Sequence, residues 1–243
     1  MQMTKEWHEK WQKKREKFYS PVNLNDYFCK DEIEGIKVEC FDIGTCSISS
    51  GEILVRDPLC YLSKDEMPYF QKTPSGEFPV TVCAILPEND CARYAAVKVT
   101  FSDGQAERFE EALIGTEDID DFEEGCFFGF NVDAGLAAIT DTTGRDAFCS
   151  FSQNWEKENP DANIYDDYFS DFFARSYKDH PEFQRDGGDW INWTIPGTNI
   201  NIPMFQSGFG DGTYPVYMGY DKNGGICCLV VHFIDIKFEF AEE

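Results

Sequence analysis

Short apolar runs separated by turn residues make up the region between residues 35 and 101. Clusters of Gly, Pro, Asp and Asn divide this region, and β-branched and aromatic residues fill much of the runs between them. Such a pattern is typical of antiparallel strands joined by tight turns. We therefore predict strands at residues 36–41, 51–55, 78–86 and 95–101.

The pattern changes along the second half of the chain. Residues 105–113 fit a short helix, whereas the apolar run at residues 126–132 fits a strand that pairs with residues 136–140. Aromatic residues then recur at helical spacing through residues 144–158 and 163–178. The last two apolar segments, residues 214–220 and 226–233, flank an Asp-Lys-Asn-Gly-Gly turn, which predicts a closing hairpin.

A helix is also predicted near the N-terminus. Trp7, Trp11 and Phe18 share one helical face within residues 5–19, and Pro21 limits its continuation. The predicted organisation is an N-terminal helix in residues 1–20 followed by a single α+β domain in residues 21–243. In this domain we expect an antiparallel, β-rich sheet or sandwich, with two helices covering one face.

Charge narrows the classes of partner. The chain carries 21 Lys and Arg against 45 Asp and Glu, a formal net charge of −24. Such a surface repels nucleic-acid phosphates and anionic membranes, so neither is expected as a partner. A macromolecular partner should be basic. The acids concentrate in residues 101–125, which hold ten acids and one base, Arg108.

The cysteines and the apolar runs bear on the cellular compartment. Ten cysteines occur without a Cys-x-x-Cys motif, and most lie in apolar runs, where a thiol behaves as a small hydrophobe. No apolar run reaches the roughly 18 residues that span a bilayer, and the charged N-terminus lacks a signal core. We expect reduced thiols and a cytoplasmic protein.

Four segments carry a resemblance to a known family. They are SGFGDGTYPVYMGYDKNGGICCLVVHF at residues 207–233, Val132-Asp133-Ala134-Gly135, Gly76-Glu77-Phe78-Pro79-Val80, and the stretch from Ser50-Gly51 to Asp57-Pro58-Leu59. In this order they resemble the mainly bacterial domain-of-unknown-function family 4241, over roughly residues 35–235. Because that family brings no established chemistry, the resemblance implies an architecture rather than an activity.

The signature segments contain loop residues with two interpretations. The residues concerned are Asp133, Gly135, Gly210, Asp211, Gly212 and Tyr214. In the first interpretation the glycines permit positive φ and Asp211 caps nearby amides. In the second, Asp57, Asp133, Asp141 and Asp211 converge into a carboxylate cluster for Mg²⁺ or Ca²⁺ and for acid–base work. Asp is a favoured turn residue in an acid-rich chain, which favours the first.

Two classes of function follow. The leading hypothesis is a non-enzymatic, acidic protein-binding module without a cofactor, comparable to an immunity-type inhibitor of a basic protein. Its expected contact is the acidic segment at residues 107–124, with Glu117, Asp118, Asp120 and Asp121 as partner-binding residues. The alternative is a metal-assisted hydrolase or small-ligand-binding enzyme that uses the carboxylate cluster. Trp190, Trp193, Tyr214 and Tyr217 could line a groove, although such rings also serve as core.

Overall fold

The structure is a computed structural model that describes residues 3–87, 91–120, 122–123 and 125–240. Within these residues the largest element is a curled antiparallel sheet of seven strands. In spatial order they are β1 (Glu32–Ile33), β2 (Ile36–Ile48), β4 (Gly76–Leu86), β5 (Arg93–Thr100), β13 (Ile226–His232), β12 (Val216–Tyr220) and β6 (Arg108–Glu111).

A second antiparallel sheet packs on the first. It contains β3 (Ile53–Arg56), β8 (Leu136–Asp141), β10 (Asn201–Gln206) and β9 (Trp190–Thr194), in that spatial order. One buried cluster includes residues of both sheets, among them Val97 and Val231 of the first and Ile139 and Phe205 of the second. A short ribbon pairs β7 (Phe130–Val132) with β11 (Gly212–Tyr214). The two sheets therefore form a sandwich with a shared core.

Two helices cover the other face of the second sheet. They are α3 (Thr142–Glu158) and α4 (Ser170–Asp179), the latter preceded by a π-helical turn at Tyr165–Phe169. Phe148 and Phe169 make edge contacts with Trp193 of β9 in a second buried cluster. This confirms the predicted α+β fold, in which two helices cover one face of a β-rich sandwich.

The N-terminal segment lies against its own chain. It contains α1 (Lys5–Lys14), a 3₁₀ turn at Arg15–Phe18 and a short helix α2 (Asp26–Cys29). Thr4 caps α1 by accepting a hydrogen bond from the amide of Trp7, and Trp11 and Phe18 form a small third cluster with Leu113, Ile119 and Phe122. The chain ends in α5 (Ile236–Phe240) as far as it is described.

Two local predictions are wrong. Residues 108–111 form strand β6 rather than a helix, because they pair with β12 in the register Tyr217↔Glu111. Residues 126–129 do not join the predicted strand, since Gly129 has φ +61° and only Phe130–Val132 is extended. That strand pairs with β11, while β8 pairs with β3 and β10. Long-range pairing overrides local pattern in both places.

Candidate functional site

The glycine-aspartate loop of the signature is a compact turn that leads into β11. Gly208 and Gly210 have φ of +50° and +107°, a region that favours glycine. The Tyr214 hydroxyl donates to the carbonyl oxygens of Gly210 at 2.8 Å and Ser207 at 3.2 Å, and Ser207 Oγ donates to the Gly210 carbonyl at 2.8 Å. The Tyr214 ring thus closes the loop from the strand that follows.

Two signature segments that are far apart in sequence meet at this loop. Asp211 Oδ1 accepts a hydrogen bond from the Gly135 amide at 3.1 Å, and the Ser207 amide donates to the Gly135 carbonyl at 3.1 Å. Gly135 itself has φ +65°. The arrangement agrees with a conformational role for these glycines, and Asp211 caps an amide here.

Asp57 joins a third signature segment to the same place. Its side chain is fully buried, and each carboxylate oxygen accepts two backbone amides. Oδ1 accepts from Leu59 at 2.9 Å and Cys60 at 3.1 Å, and Oδ2 accepts from Asp133 at 2.9 Å and Ala134 at 2.7 Å. The side chain of Asp133 in turn accepts the Tyr61 hydroxyl. We call Asp57, Asp133 and Asp211 the aspartate hub.

The aspartate hub brings together three of the four aspartates that the sequence grouped. The fourth, Asp141, caps α3 instead, with Oδ1 accepting the Gly144 amide at 2.8 Å and Oδ2 accepting the amides of Ser49 and Ser50. Within the described part of the chain, no group of three or more His, Cys, Asp or Glu side chains is arranged to hold a metal ion. The observed contacts of these carboxylates are backbone amides and hydroxyl groups.

The acidic loop, residues 114–120, is built by its own carboxylates. Glu117 accepts the amides of Ile114 at 2.5 Å, Gly115 at 2.8 Å and Thr116 at 2.9 Å, so its side chain holds the turn together. Asp118 Oδ1 accepts the Asp120 amide at 3.1 Å. Asp118 and Asp120 remain exposed to solvent. Asp121, also predicted to contact a partner, lies outside the described residues.

The basic helix α1 docks on this acidic loop. Lys10 Nζ lies 2.8 Å from Asp120 Oδ2, and Lys14 Nζ lies 3.3 Å from Asp120 Oδ1 and 2.8 Å from the carbonyl oxygens of Ile119 and Asp120. Trp7 Nε1 donates to the Glu117 carbonyl at 2.8 Å. Hydrogen bonds from Lys10 and Lys14 lower the pKa of Asp120, and the Asp120 contact raises the pKa of Lys10.

A separate cleft opens beside the closing hairpin. Segments 16–21, 125–127, 213–217 and 232–238 form its walls, Glu111 of β6 contributes to its lining, and its volume is about 730 Å³. Phe127 and Phe238 on its walls are 41% and 82% exposed, which is unusual for such large apolar side chains. We call it the aromatic cleft. Tyr214 and Tyr217 line it, whereas Trp190 and Trp193 are buried elsewhere in the core.

Glu111 is the chemically distinctive residue of the aromatic cleft. Its side chain is 1% exposed, and Oε1 accepts the amides of Phe128 at 2.7 Å and Gly129 at 2.9 Å. Burial raises the pKa of Glu111 to about 7, against the opposing effect of those two hydrogen bonds. Oε2 has no hydrogen-bond partner among the described residues. One carboxylate oxygen is therefore available to a ligand.

Glu111 was not predicted as a site residue, because it is one of the many acids in residues 101–125. The available signal was local. Glu110 and Glu111 are flanked by Phe109, Ala112 and Leu113, so two acids lie inside an apolar run rather than in a turn. Both acids are fully or almost fully buried, and Glu110 forms an ion pair with Arg15 at 2.6 Å. Acids in such a run are expected to be buried and functional or paired.

The protein is thus an α+β protein with a two-sheet sandwich. Hydrogen bonds connect its signature segments at residues 57, 133–135 and 207–214. A family model described as protein of unknown function (DUF4241) matches residues 46–231. The chain belongs to this family, as its signature segments predicted. No curated protein and no solved structure matches it. Among the helices of the described residues, none is both long and apolar enough to cross a bilayer.

Proposed function

We propose that this protein is a non-enzymatic, acidic protein-binding module that acts as an immunity-type inhibitor of a basic protein partner. The proposed contact is the acidic loop, at its exposed residues Asp118 and Asp120, together with the sequence neighbour Asp121, which lies outside the described residues. The proposed setting is the cytoplasm, in keeping with the buried thiols of Cys46, Cys83 and Cys149, which are not joined in disulfides. No nucleic acid and no cofactor takes part.

The observation that supports this function most is the docking of α1 on the acidic loop. The loop already accommodates a basic, aromatic helix, with two lysines on Asp120 and a tryptophan on the Glu117 carbonyl. A basic partner could use the same chemistry at Asp118, whose carboxylate has no ion-pair partner among the described residues. It could also compete with α1 for Asp120. Carboxylate edges of this kind recognise basic segments mainly through electrostatic complementarity.

The overall charge supports the same conclusion. With a net charge of −24, the protein attracts a basic partner over distances set by the Debye length, about 8 Å at physiological ionic strength. Long-range attraction of this kind raises the association rate more than it lowers the dissociation rate. The proposal therefore makes a kinetic prediction as well as a prediction of affinity.

The test is affinity capture followed by kinetics. The tagged protein should capture a basic polypeptide from native lysate, and the complex should form several times more slowly at 0.5 M than at 0.05 M salt, because ions screen the attraction. In the double variant Asp118→Asn/Asp120→Asn the association rate should fall several-fold, with a smaller change in dissociation. Glu117 is left unchanged, because its carboxylate holds three loop amides.

A matched control separates local contact from general charge. Asp166→Asn/Asp171→Asn removes two exposed carboxylates from the α4 region, and neither side chain makes an ion pair among the described residues. This variant changes the net charge by the same amount, so it should retain most of the association rate. Equal losses in the two variants would contradict the assigned surface. Capture of only neutral or acidic polypeptides would contradict the function itself.

A further inference from the structure

We propose that the aromatic cleft is a binding site for a small organic cation, an alkyl- or arylammonium compound. Its apolar part would lie among the aromatic rings, and its ammonium group would reach the carboxylate of Glu111. This site is distinct from the acidic loop, so the inference goes beyond the proposed protein-binding function and does not depend on it.

The shape of the aromatic cleft suits a small molecule. Its volume of about 730 Å³ falls within the roughly 300–1,000 Å³ that is usual for ligand pockets. The walls come from four separate segments of the chain, so the cleft exists only in the folded protein. Exposed rings of Phe127 and Phe238 lie on its walls, and buried rings of Tyr217 and Phe233 also line it. Ligand pockets commonly combine such apolar walls with a few polar groups.

The charges of the lining favour a cation. Three carboxylates, Glu16, Glu111 and Asp235, line the cleft, against one lysine, Lys17. His232 adds no charge at neutral pH, because burial lowers its pKa to about 4. An anionic ligand would meet an excess of negative charge. An ammonium group gains from both the carboxylates and the faces of the aromatic rings.

Glu111 supplies the specific contact. Its Oε1 accepts hydrogen bonds from the amides of Phe128 at 2.7 Å and Gly129 at 2.9 Å, and these bonds fix the position of the carboxylate. Its Oε2 has no partner among the described residues, although the side chain is 99% buried, as its 1% exposure shows. Oε2 is not among the buried side-chain atoms that lack a partner in the described residues, so it keeps contact with solvent in the cleft, where an ammonium group can donate to it. Gly129 lets the amide-donating loop approach the backbone of Tyr214 closely, since a Cβ there would lie 2.6 Å from the Tyr214 carbonyl oxygen.

The experiment compares three probes of nearly equal size by isothermal titration calorimetry and ligand-induced NMR shifts. The probes are 2-phenylethylammonium, the neutral 2-phenylethanol and the anionic 3-phenylpropionate. We expect the ammonium to bind at least about tenfold more tightly than the alcohol, and the carboxylate not to bind detectably. The shifts should map to residues 125–127 and 213–217. Equal binding of alcohol and ammonium, binding of the carboxylate, or shifts elsewhere would overturn the proposal.

Variants assign the contact. Glu111→Gln keeps an oxygen for the two amides and should weaken ammonium binding about tenfold, while alcohol binding stays unchanged. The matched control is Glu110→Gln, the neighbouring buried glutamate of β6, which does not line the cleft and should bind as wild type does. Phe127→Ala, at an exposed ring, should weaken both probes and tests the site even if Glu111→Gln fails to fold. Unchanged binding in Phe127→Ala would overturn the proposal, as would a concentration-dependent dimer that buries the cleft and excludes the ammonium probe.

Discussion

The aspartate hub and the aromatic cleft both contain acids from distant parts of the chain, but they differ in how completely the carboxylate oxygens are hydrogen-bonded. In the aspartate hub, the four hydrogen bonds to Asp57 come from backbone amides of two loops, and Asp211 accepts another amide. In the aromatic cleft, Glu111 has two amides on one oxygen and none on the other. The hub uses its carboxylates to hold loops together, whereas the cleft leaves one carboxylate incompletely satisfied.

This difference helps to identify candidate functional acids in an acid-rich chain. Hydrogen bonds to a carboxylate favour its charged form, and burial disfavours it. At Glu111 burial prevails, and its pKa rises to about 7. The turn acids Asp57 and Asp211 thus accept loop amides, whereas Glu111, inside an apolar strand, has a protonation equilibrium near neutral pH. Functional candidates are residues of the second kind.

The largest effect is expected at Asp57. Asp57→Ala leaves four backbone amides of two loops without their acceptor, and an unsatisfied buried donor costs about 1–3 kcal/mol. We expect a loss of at least about 3 kcal/mol, or failure to fold, since a whole domain has only about 5–15 kcal/mol. Urea denaturation followed by circular dichroism measures this loss.

Asp42→Ala is the matched control for this prediction. Asp42 is exposed and accepts a single hydrogen bond, from Thr81 Oγ1 at 2.7 Å. Its loss should cost less than about 1 kcal/mol, as is usual at the surface. Similar losses in Asp57→Ala and Asp42→Ala would show that the hub does not hold the two loops, and the comparison with the cleft would fail.

The second prediction concerns the pH dependence of Glu111. Its folded pKa of about 7 lies above the ordinary glutamate value, so its favourable contribution is complete at low pH and is lost as pH rises through 7. Above pH 7 the buried charge costs about 3 kcal/mol relative to low pH. Glu111→Gln removes this titration, so the stability of the variant relative to wild type should rise by about 3 kcal/mol between pH 4.5 and pH 8.

Urea denaturation of both proteins at pH 4.5, 6 and 8 provides the measurement. His232, whose pKa is lowered to about 4 by burial, destabilises the fold as pH falls below its unfolded value, but it does so in both proteins and cancels in the difference. Parallel stability curves for wild type and variant would contradict the raised pKa of Glu111. The distinction between the two groups of acids would then lose its physical basis.

The sequence predicted the elements whose signals are local. The closing hairpin was predictable because its turn is self-contained, with Gly224 at φ +79° and the Asp221 carboxylate accepting the amides of Asn223 and Gly225. Helix α3 was predictable from its aromatic spacing, although it begins at Thr142, two residues before the predicted start, because Asp141 caps it. The aspartates of the signature were also correctly placed near turns.

The remaining errors arise from contacts between distant residues. Strand β6 looked like a helix because its partner, β12, follows more than a hundred residues later in the chain. The position of Glu111 in the aromatic cleft depends on this pairing. The pairing places Glu111 opposite Tyr217, where its carboxylate accepts the amide of Gly129. The local sequence does not indicate that the lining segments meet. It also does not indicate that Oε2 of Glu111 is left without a hydrogen bond. The aromatic cleft therefore required the structure.

The smallest effect on stability is expected at Asp211. This residue also allows a test of whether the hub binds a metal ion. Asp211 is exposed and accepts one amide at 3.1 Å, and Asp211→Asn keeps a side-chain oxygen in the same place. We expect stability within about 0.5 kcal/mol of wild type, the usual range for a surface change. If the hub is purely structural, millimolar Mg²⁺ or Ca²⁺ should shift the melting temperature of both proteins equally, because a ligand stabilises only the fold that binds it. Stabilisation of wild type by either cation, lost in Asp211→Asn but retained in Asp118→Asn, would instead make the hub a metal site. The carboxylates of the hub would then share the chemical role that we assign to Glu111 alone.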